Sequence, residues 1–165
     1  MTAYKKNLTY MSSDGSFGVS LPVSVLNKMH EECIKALPYE TGGILVGCYS
    51  EDLKLAIIGN MLGKSKNSIL RRSSFTREGH DYLQALDQLW TKNQYYLGEW
   101  HYHPLSSPSP SSRDTETMKT LSLDKGLNCP EPVLIIIGGG KNAWTISVSV
   151  FSNGRRIVLS QREMK

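Results

Sequence analysis

The spacing of apolar residues changes several times along the chain, and each change marks a predicted element. Gly18–Pro22 reads as a short strand. Val25, Leu26, Met29, Cys33 and Leu37 then recur at helical spacing, which predicts an amphipathic helix stopped by Pro38. The runs 43–49 (GILVGCY) and 53–59 (LKLAIIG) read as buried strands joined by the polar turn Ser50-Glu51-Asp52. Residues 60–77 are mostly polar, with glycine and serine, and read as a loop or flexible arm. Tyr82, Leu83, Leu86, Leu89 and Trp90 predict a second amphipathic helix ending near Asn93. Residues 95–103 are strand-like, PLSSPSPSS after them excludes regular structure, and a shorter helix is expected over 112–123. Strands follow at 133–137 and 144–151, and the turn Asn153-Gly154 leads to a last one at 155–159. The order β-α-β-β-α-β-α-β-β-β has too few alternating βαβ units for a doubly wound sheet. It predicts an α+β fold with a mixed, curved β-sheet flanked by helices.

Composition narrows the class. Hydrophobic residues are 39% and charged residues 21% of 165, which suits a globular protein and excludes a disordered polyelectrolyte. The aliphatic run 133–137 is far short of the roughly 20 residues that span a bilayer. No apolar stretch follows the first lysines, so no secretory signal is expected. A single domain over 1–165, cytoplasmic and with no membrane partner, is the expectation. Cys33, Cys48 and Cys129 are odd in number and form no CxxC pair, which predicts reduced, structural thiols. A net charge of +4 is too small to argue for nucleic acid unless clustered. The densest cluster, Lys64, Lys66, Arg71, Arg72 and Arg77, is interleaved with serines and reads as a solvated loop.

The chemistry concentrates between Trp100 and Asp114. Residues two apart on a strand point to one face, so His101 and His103 aim both imidazoles at one point. Asp114 offers a carboxylate from the start of the next helix, and two histidines plus one carboxylate suit a catalytic zinc. Ser111-x-x-Asp114 equally resembles a helix capping box, a reading that leaves the paired histidines unexplained. Glu99, on the same strand face as His101, is a rival acid–base group. Gly138-Gly139-Gly140-Lys141 resembles a phosphate loop, but Ile135 and Asn142 stand where a Walker motif needs Gly and Ser or Thr. It is expected to be a turn between strands. His30 and His80 have no paired ligand nearby and read as surface or packing residues. Tyr95, Tyr96 and Trp100 read as core.

The spacing His101-x-His103, seven residues, Ser111, two residues, Asp114 resembles the H-x-H-x7-S-x2-D pattern of the JAB/JAMM (MPN-domain) metalloproteases. That family also carries an upstream glutamate before a small-residue strand, and Glu40 in PYETGGILVG matches it. The order of elements over about residues 19–159 is similar as well. The resemblance implies the JAB/MPN (cytidine-deaminase-like) fold and Zn²⁺ held by His101, His103 and Asp114. It assigns proton transfer to Glu40 in preference to Glu99, and a hydrogen bond to the oxyanion to Ser111. The members most similar to a stand-alone chain of this size are bacterial JAB peptidases of anti-phage operons, notably type II CBASS. They imply a protein substrate with a flexible C-terminal tail, either a ubiquitin-like protein or a conjugated cGAS-like nucleotidyltransferase. In deubiquitinating members an insertion that clamps ubiquitin sits where residues 60–77 fall here. A peptidase that processes sulfur-carrier proteins is the nearest alternative. A RadC-like DNA-associated protein is disfavoured by the slight basic charge and the lack of a helix-hairpin-helix module.

Overall fold

The computed structural model describes residues 6–63 and 80–163. Strands β1 (Asn7–Met11) and β2 (Gly18–Pro22) lead into helix α1 (Val23–Ala36), followed by β3 (Thr41–Tyr49) and β4 (Leu55–Leu62). Helix α2 (His80–Trp90) precedes β5 (Tyr95–Pro104), helix α3 (Ser112–Leu123) and a 3₁₀ turn, Lys125–Leu127. Strands β6 (Val133–Gly140), β7 (Ala143–Ser152) and β8 (Arg155–Arg162) complete the order.

The strands pair in the order β1-β2-β4-β3-β5-β6-β7-β8, and Tyr10 of β1 also pairs with Gln161 of β8, so the sheet curls back on itself. The pairs β2–β4 and β5–β6 are parallel and the remainder antiparallel, so the sheet is mixed, as expected. Helices cover both faces. On the inner face Val25, Met29 and Cys33 of α1 pack with Leu21, Leu97, Trp100, Tyr102, Ile135 and Ile137. On the outer face Met118 and Leu121 of α3 pack with Leu134, Ile136 and Phe151. Leu86 and Leu89 of α2 sit beside Ile44, Val46 and Tyr96. This explains why β6 reads VLIII without alternation, since a strand buried on both faces needs apolar residues at every position. Helix α1 ends at Leu37 because Pro38 bars the helical conformation at the residue before it.

Four expectations need correction. Strand β1 lies ahead of the first predicted strand, in a segment whose order comes from two distant partners. Strand β4 runs on to Leu62, with Met61 buried, so residues 60–62 are not loop. Gly138–Gly140 is paired strand opposite Ala143, Trp144 and Thr145, which moves the turn to Lys141-Asn142. Tyr95 is only half buried, unlike Tyr96 and Trp100, and meets the exposed Trp90 edge-on at 5.0 Å. The basic cluster Lys64–Arg77 and the side chain of His80 lie outside the described residues. Cys33 and Cys129 are buried free thiols and Cys48 is half buried. Among the described residues no helix is long and apolar enough to cross a membrane.

Candidate active site

The site grows from an irregularity in β5. Leu97, Trp100 and Tyr102 all reach the inner core, although Leu97 and Trp100 are three positions apart. The register shift between Leu45 and Val46, opposite Gly98, absorbs the extra residue. Gly98 has φ +151, and a side chain there would run into the Val133 carbonyl, so glycine alone fits. Beyond this point Trp100 and Tyr102 point in, while Glu99, His101 and His103 point out towards α3. The bulge decides which face carries the imidazoles.

Asp114 meets them from α3. Its Oδ1 lies 3.1 Å from His101 Nδ1 and its Oδ2 3.3 Å from His103 Nε2. Ligand atoms of His101, His103 and Asp114 lie within 4.8 Å of one another. The capping box is present too. Asp114 N–H donates to Ser111 Oγ at 3.0 Å, and Ser111 N–H donates to Asp114 Oδ2 at 2.8 Å. The two sequence readings of Ser111-x-x-Asp114 are therefore compatible: the cap aims the carboxylate that the histidines share. Ser111 is exposed, and its Oγ accepts the backbone bond, which leaves its O–H proton to give.

Burial raises the Asp114 carboxyl, but the His101 hydrogen bond and the Ser111 amide outweigh it and hold it well below the usual carboxylate range. For His101 burial works downwards, yet the hydrogen bonds with Asp114 and Glu99 carry it up to about 9. Asp114 is completely buried with two imidazoles as its neighbours, so its charge is met from both histidines of the strand. Nitrogen and oxygen donors of this kind, converging from a strand and a helix start, fit a divalent metal.

Glu40 is exposed, one residue before β3. Thr41 pairs with Tyr102 and Gly42 with His101, so the antiparallel register carried one step further sets Glu40 level with His103. The sequence reading missed Gly42 as part of the site. A Cβ there would meet the Trp100 carbonyl and stand 3.1 Å from His101 Cδ2, so the bare backbone lets the imidazole lie against β3. The glycine pair after Glu40 was the available signal. Glu99, read only as a rival base, is 8% exposed and places Oε2 at 3.2 Å from His101 Nε2. His30 is a packing residue, stacked on Trp144 at 4.5 Å and 5°.

The profile described as prokaryotic homologs of the JAB domain matches residues 22–147, a stretch that contains every one of these side chains. The chain is 36% identical over 150 residues to a "CD-NTase/cGAS isopeptidase" of Enterobacter hormaechei subsp. hoffmannii, covering 90% of this chain and 83% of that protein. It is 28% identical over 146 residues to "Probable metalloprotease y4qB" of Sinorhizobium fredii, covering 86% and 88%. The solution structure of protein DSY2949 from Desulfitobacterium hafniense shares the fold, with TM-score 0.56 and 19% identity over 85% of this chain and 86% of that one. With that match spanning both the Glu40 strand and the histidine strand, the chain belongs to the prokaryotic JAB-domain family and is a metallopeptidase.

Proposed function

We infer that this chain is a zinc-dependent isopeptidase that cuts after the flexible C-terminal tail of a folded protein. The observation that carries the reading is the convergence of His101, His103 and Asp114 beside an exposed, capping Ser111. In this reading the whole chain is one JAB domain, with its core at about residues 19–159, and it acts in the cytoplasm. The substrate class is supported by relatives named CD-NTase/cGAS isopeptidase in Enterobacter hormaechei and Escherichia coli. The substrate here is then a ubiquitin-like protein or a conjugated cGAS-like nucleotidyltransferase, released during anti-phage defence of the type II CBASS kind.

His101, His103 and Asp114 would hold the ion. Zinc in such a site polarises a carbonyl and lets water ionise near neutral pH. Glu40, level with His103, takes a proton from the attacking water and returns it to the leaving amine. Ser111 gives its free O–H to the oxygen that becomes negative as the carbonyl carbon turns tetrahedral. Binding energy from the folded body of the substrate, distant from the scissile bond, positions the tail.

Cleavage of a nucleotidyltransferase conjugate, followed by mass spectrometry, tests this reading. Chelation should remove zinc and all turnover together. Glu40→Gln should keep zinc and the fold and abolish turnover. A full conjugate should show a far higher kcat/KM than a short peptide with the same tail. Equal values would refute recognition by a folded partner, and full zinc occupancy in His103→Ala would refute the ligand set.

A further inference from the structure

The two histidines are not held alike. The His103 imidazole meets Asp114 through Nε2 at 3.3 Å. The His101 ring is fixed on three sides. Gly42 backs its Cδ2 edge, Asp114 takes Nδ1, and Glu99 Oε2 stands 3.2 Å from Nε2.

Glu99 is an unusual residue for its place. It sits in the middle of the sheet, paired to Ile44 on one side and Leu134 on the other, and is 8% exposed. Among the described residues its carboxylate meets no lysine or arginine, and His101 is its recorded partner. A buried carboxylate is costly unless a donor satisfies it, so packing gives no reason for an acid at this position. What it does is select a tautomer. A neutral imidazole has one N–H and one lone pair. With Nε2–H given to Glu99, the proton that Nδ1 shares with Asp114 is the one a metal would replace, which puts the lone pair on the side where Asp114 and His103 converge.

We propose that Glu99 is a positioning residue for the metal: it orients His101 through Nε2 and presents Nδ1 as the ligand atom. The inference rests on the metal reading above and gives Glu99 a different task from Glu40. A base must reach the attacking water, whereas the Glu99 carboxylate is engaged behind the ligand ring. The Gly98 bulge belongs to the same device, since without it Glu99 would face the inner core.

Zinc affinity, measured by competition with a chromophoric chelator and without any substrate, tests the proposal. Glu99→Met keeps the volume and removes the acceptor, and Glu99→Gln keeps an acceptor oxygen at nearly the same reach. Glu99→Met should bind zinc about ten- to a hundredfold more weakly, the usual cost of losing such a partner. Glu99→Gln should recover most of that loss, because its neutral oxygen still accepts the Nε2–H. Cobalt in place of zinc should show a changed visible spectrum in Glu99→Met and a nearly unchanged one in Glu99→Gln. Thermal unfolding of the metal-free variants checks that each is folded. Unchanged zinc affinity in Glu99→Met overturns the proposal, and so does a Glu99→Gln variant as weak as Glu99→Met. Unchanged affinity with turnover lost in both would make Glu99 a proton carrier instead. If the unaltered protein takes up no zinc, the metal reading falls and this proposal with it, a result distinct from the other two.

Discussion

On the inner face of β5, Leu97, Trp100 and Tyr102 are fully buried among aliphatic side chains and α1. On the outer face of the same strand, Glu99 is buried and His101 and His103 are half-buried, yet they are polar and answer to one another and to Asp114. The inner face is held by volume. Any substitution there is paid back as a cavity, with a size that depends on how far the neighbours relax. The outer face is held by partners, and the loss of one strands the others in surroundings where an unmet polar group is costly. One strand thus carries a stability problem and a chemical problem on opposite sides, and the two should be separable by mutation.

Asp114→Ala should give the largest effect. It removes the carboxylate shared by both imidazoles, so zinc is lost and turnover falls by more than about a thousandfold, since a bound metal supplies several kcal/mol of transition-state stabilisation. Folding of the metal-free protein should suffer too, by about 3 kcal/mol, because both imidazoles and the Ser111 amide lose a buried partner, read in urea titrations. Trp100→Ala should cost stability alone. Removing this fully buried ring should cost about 3–5 kcal/mol of stability, while the fraction still folded binds zinc with nearly the parent affinity. If Trp100→Ala loses zinc while its fold remains intact, the two faces are not separable.

The smallest effect is a pH dependence of the metal-free protein. His101 is held at about 9 in the folded state against 6.5 when free. Its contribution is therefore complete below about pH 6.5 and is lost as pH rises through 9, on the order of 3 kcal/mol. Asp114 is depressed and behaves oppositely: its contribution is present above the ordinary carboxylate range and is lost as the solution is acidified. Melting temperatures of chelated protein from pH 4 to 10 should trace this window. Zinc-loaded protein should not show the alkaline fall, because metal and proton compete for the imidazole.

Much of this was legible in the chain because it rests on local periodicity. The histidine pair is set by the two-residue repeat of a strand, and Asp114 by the start signal of a helix. The parallel strand β6 announces itself as an unbroken apolar run. What escaped depends on partners far away in sequence. Strand β1 has little pattern of its own and is ordered by β2 and β8. Gly138–Gly140 resembles a turn in composition but is held extended by Ala143–Thr145, and its first glycine leaves room for the backbone at Ser106 and Pro108. The contact between Glu99 and His101 needed the bulge at Gly98, and a glycine in a strand does not say which way the alternation resets.

The loop between His103 and Ser111 is tied down by its main chain. Leu105 N–H donates to the Gly139 carbonyl, Gly139 N–H to the Ser106 carbonyl, and Ser147 Oγ to the Pro108 carbonyl. The Ser107 and Ser109 hydroxyls bond to each other, and Leu105 is 80% exposed. Geometry and vocabulary are therefore written in different parts of the same seven residues. Main-chain groups tie the path that delivers Asp114 to β6 and β7, while Leu105, Ser107 and Ser109 turn their side chains to the surface. A library varied at 105, 107 and 109 alone is where altered cleavage preferences should be sought, on a scaffold that stays in place throughout the search.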